Sequence, residues 1–102
     1  MKRNIYIISL LFSIIYANTG IITGKVMDYD THHPLIGANI IIENTDLGVA
    51  CDNDGRFRID NIPVGSYTVI VSMIGYSNIS RANVNINTNR ETPLTIYLEA
   101  TA

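Results

Sequence analysis

One cysteine, no tryptophan, three prolines and a charged fraction of only 16% leave this 102-residue chain short of the usual chemical equipment. A single cysteine cannot form an intramolecular disulfide framework or a Cys-based zinc cluster. The formal charge of −2 provides no basic face of the kind nucleic acid requires. There is no Gly-x-Ser-x-Gly elbow and no phosphate loop. The two histidines are adjacent, His32 and His33. Neighbours in an extended segment point to opposite sides, and zinc needs further ligands, so the pair is read as a solvated loop. Without a third histidine or a nucleophile–base pair, neither an enzyme nor a cofactor is expected.

What the chain does have is β-branched bulk. Apolar residues make up 47%, Ile alone occurs 18 times, and Val plus Thr add another 15. Such side chains favour strands over helices. The apolar fraction is too high for a disordered chain, and the length allows one domain.

The first segment reads as something apart from that domain. Lys2 and Arg3 precede an apolar run over 5–16, and Ala17 follows as a small exit residue. A basic start, a short apolar stretch and a small residue form a secretory signal peptide over 1–17, cut after Ala17. Retention as a membrane anchor is the alternative, but the run is shorter than the roughly 20 residues a spanning helix needs. No cysteine follows the run, which excludes a lipoprotein anchor. After cleavage, Lys25, Arg56, Arg58, Arg81 and Arg90 face nine acidic residues, a net charge of −4 with no membrane span.

Beyond residue 20 the hydrophobic period is two almost everywhere, which predicts seven short strands near 22–26, 38–43, 47–52, 56–60, 67–73, 83–87 and 94–99. Phe57 and Ile59 must face inward, because Arg56, Arg58 and Asp60 cannot be buried unpaired. Turns are expected at His33-Pro34, at Ile36-Gly37, and across 61–65, where Gly65 permits the bend. Asn53-Asp54-Gly55 suits a tight hairpin, with Gly55 at positive φ. Strands this short, punctuated every 8–12 residues, signal a sandwich or barrel.

The punctuation also carries a resemblance. Gly24-Lys25-Val26-Met27-Asp28, Pro34-Leu35-Ile36-Gly37-Ala38-Asn39-Ile40, Gly48, Asp52-Asn53-Asp54-Gly55-Arg56-Phe57, Pro63-Val64-Gly65-Ser66-Tyr67 and Val71-Ser72-Met73-Ile74-Gly75-Tyr76 occur in order. Together they resemble the carboxypeptidase regulatory-like domain family over most of the chain after the leader. The resemblance implies an all-β, seven-stranded antiparallel sandwich of transthyretin-like type over 21–99. Cys51 departs from the Thr or Ser common at that position.

Gly24, Pro34, Gly37, Ala38, Asp52, Gly55, Phe57, Pro63, Gly65, Tyr67, Gly75 and Tyr76 are the candidate motif residues. Each has a fold-specifying rather than a chemical role. Gly24 leaves room for a close neighbour, and the small Ala38 lets the sheets approach. Tyr67 can fill the core while its hydroxyl bonds a loop carbonyl. Asp52 and Asp54 lack the further oxygens of a calcium loop and are read as turn residues. Asn78-Ile79-Ser80 fits a glycosylation acceptor. Asn83, Asn85 and Asn87 are read as a solvated strand face.

The order of leader then domain is similar to the start of TonB-dependent outer-membrane transporters. The resemblance therefore implies a non-catalytic module, the N-terminal domain of such a transporter or a stand-alone relative, exported to the periplasm or the outer membrane, or secreted, with a protein partner in the envelope. The alternatives are a carbohydrate-binding module, for which Tyr29, Tyr76 and Tyr97 are the available aromatics, and an accessory domain of a secreted metallocarboxypeptidase.

Overall fold

The computed structural model describes residues 18–101, so the expected leader over 1–17 lies outside the described residues. Seven strands follow one another: β1 (Thr19–Asp28), β2 (Asn39–Ile42), β3 (Gly48–Ala50), β4 (Arg56–Pro63), β5 (Gly65–Ser72), β6 (Ile79–Ile86) and β7 (Glu91–Leu98). One sheet has the order β4-β1-β7 and the other β3-β2-β5-β6. The fold is an all-β sandwich.

Alternation along each strand builds the core. Ile22 and Val26, Ile40 and Ile42, Phe57 and Ile59, Val69 and Val71, and Ile96 and Leu98 are buried between the sheets. Their sequence neighbours face out, as period-two geometry requires. In β4 the parity changes, because Ile62 is buried rather than Asn61. Asp60 and Asn61 together lie opposite Ile21, and Asn61 sits at φ 59°. That is a bulge, in which one extra residue shifts the inward set. β6 repeats the device, with Ala82 and Asn83 opposite Thr68 and Asn83 at φ 58°. Asparagine suits both places, since it tolerates the left-handed region better than most side chains. Asn83 therefore belongs to a bulge rather than to a regular row with Asn85 and Asn87.

Three expectations are corrected. The sandwich is not wholly antiparallel, because β1 and β7 run parallel from Ile21↔Glu91 to Asp28↔Leu98. A parallel pair needs a long crossover, and here every other strand of the domain lies between the two. The segment Asn53-Asp54-Gly55 is not a hairpin, because β3 pairs with β2 while β4 pairs with β1. It is a corner carrying the chain between sheets, closed by Asp52 Oδ1, which accepts from the Asp54 and Arg56 amides at 2.9 Å each. Finally, β4 runs through Pro63 and β5 begins at Gly65, so Val64 alone makes the bend. Gly65 stands at φ 159°, with space for a side chain but in a backbone conformation that side chains rarely adopt.

Candidate interaction surface

No polar or charged side chain among the described residues is buried, so any recognition must occur on the outside. The most structured polar and aromatic surface lies at one end of the sandwich. There the chain leaves β1, turns between β5 and β6, and leaves β7.

Asp28, the last residue of β1, organises this end. Its Oδ1 accepts from the backbone amides of Asp30 at 2.8 Å and Thr31 at 2.9 Å. Its Oδ2 accepts from the Tyr76 hydroxyl at 2.7 Å, across 48 residues of sequence. The Thr31 amide and then the Tyr76 hydroxyl hold the Asp28 carboxyl down at about 2. The same contact raises the Tyr76 phenol, because losing its proton would set two negative oxygens together. Backbone bonds tie the three exits together. Tyr29 donates to the Leu98 carbonyl at 2.9 Å, Ser77 to Glu99 at 2.8 Å and Thr101 to Gly75 at 2.9 Å.

On this scaffold stand three rings. Tyr29 and Tyr97 meet edge to face, with centroids 6.4 Å apart and planes at 89°. The His32 ring leans on Tyr97 at 5.4 Å. His32 holds φ 61°, a backbone region non-glycine residues seldom occupy, while its amide donates to the Asp28 carbonyl at 2.9 Å. Tyr29 and Tyr97 nevertheless stay 55% and 38% exposed. Beside them Ser77, Asn78, Ile79, Arg81 and Glu99 line a concavity of about 370 Å³.

The motif residues of the sequence lie elsewhere for the most part, and they meet in small groups. A side chain at Gly24 would come within 2.5 Å of the Phe57 ring and strike the Leu94 carbonyl. One at Gly55 (φ 71°) would lie 2.7 Å from the Val26 carbonyl and 2.9 Å from Pro34. Ala38 is fully buried, and its carbonyl accepts from the Cys51 amide at 2.8 Å. The Gly37 amide donates to the Cys51 carbonyl at 3.1 Å. The Tyr67 hydroxyl donates to the Pro63 carbonyl at 2.6 Å, with Gly65 beneath the ring. The Asp52 carboxyl is lowered, chiefly by the Arg56 amide, at the sheet-crossing corner. Cys51 is buried, and that burial, reinforced by Asp52, pushes its thiol up to about 11. Gly75, at φ 88°, and Tyr76 alone belong to the aromatic end.

Tyr76 is not one of the freely exposed aromatics expected from the sequence. It is half-buried and its hydroxyl is committed to Asp28. The Asp28–Tyr76 link has no signature in the sequence, because nothing in a period-two pattern pairs a strand end with a loop residue 48 positions away. Among the described residues no group of three or more His, Cys, Asp or Glu is placed to hold a metal ion. None of their segments is a helix long and apolar enough to cross a membrane.

A family model described as the CarboxypepD_reg-like domain matches residues 22–102. No curated protein sequence matches the chain. Among solved structures, one chain of a type II cohesin–X–dockerin complex from Acetivibrio cellulolyticus is similar, with a TM-score of 0.69 and 23% identity. That match covers 79% of this chain and 58% of the other. The Bacillus anthracis TIE protein matches with a TM-score of 0.65 and 21% identity, over 82% of this chain and 17% of the other. The minor pilin GBS52 of Streptococcus agalactiae has a TM-score of 0.61 and 20% identity, over 86% of this chain and 47% of the other. At these identities the likeness concerns the fold. The chain spans less than two thirds of each of these longer proteins.

Proposed function

The chain belongs to the CarboxypepD_reg-like domain family, and from that premise we propose that it is a non-catalytic interaction module of the bacterial envelope, the N-terminal periplasmic domain of a TonB-dependent outer-membrane receptor. The observation that carries this reading is the order of segments: a basic and then apolar stretch over 2–16, which we read as a leader, is followed by the family domain over 22–102. The sandwich supports it physically. Most of its apolar strand residues are turned inward, with Ile41 and Tyr97 as exposed exceptions, and no polar or charged side chain among the described residues is buried, so its polar groups can meet a partner.

The sandwich controls its own edges in a way that suits such a role. Pro93 lies in edge strand β7, and the Asn61 and Asn83 bulges interrupt β4 and β6. Proline and bulges discourage indiscriminate strand addition. Recognition then falls to the ends of the sandwich, and among the described residues the Asp28-organised end is the one with exposed aromatic side chains.

The test is immunodetection of the native polypeptide with antibody raised against residues 18–101. The receptor reading expects a product in the outer-membrane fraction, larger than this chain, whose migration on gels changes when it is boiled. An exported product of this chain's own size overturns the receptor assignment. A cytoplasmic product overturns the envelope role altogether.

A further inference from the structure

We propose that the concavity between the β1 exit, the β5–β6 loop and the end of β7 is a binding subsite for a neutral saccharide. Tyr29 and Tyr97 would serve as stacking surfaces, with Arg81, Glu99 and Asn78 as hydroxyl partners. The volume of about 370 Å³ falls within the size of small-molecule sites. A sugar ring offers an apolar C–H face and a rim of hydroxyls, and the lining offers the complement of each. Tyrosine combines an apolar ring with a polar tip and loses little freedom on binding.

Three observations favour this ligand class. The first is that the polar groups are free to bind. Neither Arg81 nor Glu99 takes part in the ion pairs among the described residues, both of which involve Arg58. The second is charge. One guanidinium and one carboxylate line the same concavity, so it holds both signs and selects neither anion nor cation. The third is that the local backbone is already used. The Tyr29, Ser77 and Thr101 amides donate to Leu98, Glu99 and Gly75, so an added peptide strand finds these three donors taken. Side-chain hydroxyl recognition needs none of them.

The platform is also preorganised. Asp28 fixes the turn carrying Tyr29 through two amides and Tyr76. Holding a binding surface in its bound shape lowers the ordering penalty on association.

The experiment uses the purified full chain, a glycan array, and amide NMR titrations with maltotriose, cellotriose, N-acetylchitotriose and a polyproline peptide. The site predicts saturable binding to at least one saccharide, with shifts centred on residues 28–33, 77–81 and 97–99. Tyr97→Ala should weaken that binding about tenfold, the scale of one lost aromatic contact. Tyr97→Phe should retain it. Arg81→Gln should weaken binding without moving the melting temperature, which separates recognition from folding if Tyr97→Ala proves unstable. Absence of saturable saccharide binding on the array and in the titrations overturns the proposal. So does binding unaffected by Arg81→Gln, or polyproline occupying the same amides instead. None of these readouts depends on the receptor assignment, which is judged by location and size.

Discussion

Replacing Gly24 by alanine adds one methyl group to the middle of β1, and the surroundings leave it nowhere to go. The new carbon would lie 2.5 and 2.6 Å from two atoms of the Phe57 ring and would also strike the Leu94 carbonyl. Carbon atoms in contact prefer roughly 3.5–4.0 Å, so something must move by about an ångström. Phe57 is only 5% exposed and sits in the core. The backbone cannot retreat either, because Gly24 pairs with Phe57 on one side and Leu94 on the other. Overpacking of this kind destabilises by about 1–3 kcal/mol, and the immovable carbonyl puts Gly24→Ala near the top of that range. Against a total of about 5–15 kcal/mol the loss is large. For a domain this small it lowers the melting temperature by about 10–20 °C. Urea unfolding followed by far-ultraviolet circular dichroism measures it directly, since the chain has no tryptophan to report. Adding Phe57→Leu should make the double variant less destabilised than the sum of the singles, because the ring is part of the collision. A loss below about 0.5 kcal/mol for Gly24→Ala, the scale of an ordinary surface change, would refute the reasoning.

Much of the architecture was legible because it rests on local rules. Val84 and Ile86 alternate with Asn85, and Phe57 and Ile59 with Arg58, so the inward faces could be read from charge and period alone. Strand pairing was another matter. Asn53-Asp54-Gly55 has the composition of a hairpin, and the Asx turn at Asp52 does form. Whether the following strand turns back or crosses to the other sheet depends on partners far along the chain. The parallel β1–β7 pair was hidden for the same reason, as its residues are some 70 positions apart. Bulges escaped because Asn61 and Asn83 look like ordinary polar strand residues until register is known. The aromatic end was legible only in part. Tyr29 and Tyr97 stood out as exposed candidates, but the Asp28–Tyr76 bond that shapes their platform is long-range.

The remaining predictions address the other features. Asn61→Val forces a β-branched side chain into the left-handed bulge and should destabilise by about 1–3 kcal/mol in urea, whereas Asn61→Gly should be nearly neutral; equal losses would refute the bulge argument. Asp28 titrates at about 2 rather than 3.8, so the stability its charged form contributes is complete above 3.8 and disappears as pH falls toward 2. Tyr76→Phe removes one cause of that depression, so its melting-temperature deficit should shrink across this window, and a deficit independent of pH would refute the link. Cys51, buried with its thiol pushed up to about 11, should resist Ellman's reagent at neutral pH in the folded chain and react promptly in denaturant; rapid labelling of the native protein would contradict its burial.

Export is the claim on which the functional account depends, because an envelope module must leave the cytoplasm. Terminal peptide mass spectrometry of the native protein, recovered separately from envelope and cytosol, tests it most directly. The account predicts an envelope-borne polypeptide beginning at Asn18, cut after Ala17. A protein that keeps residues 1–17 and is recovered from the cytosol would contradict it.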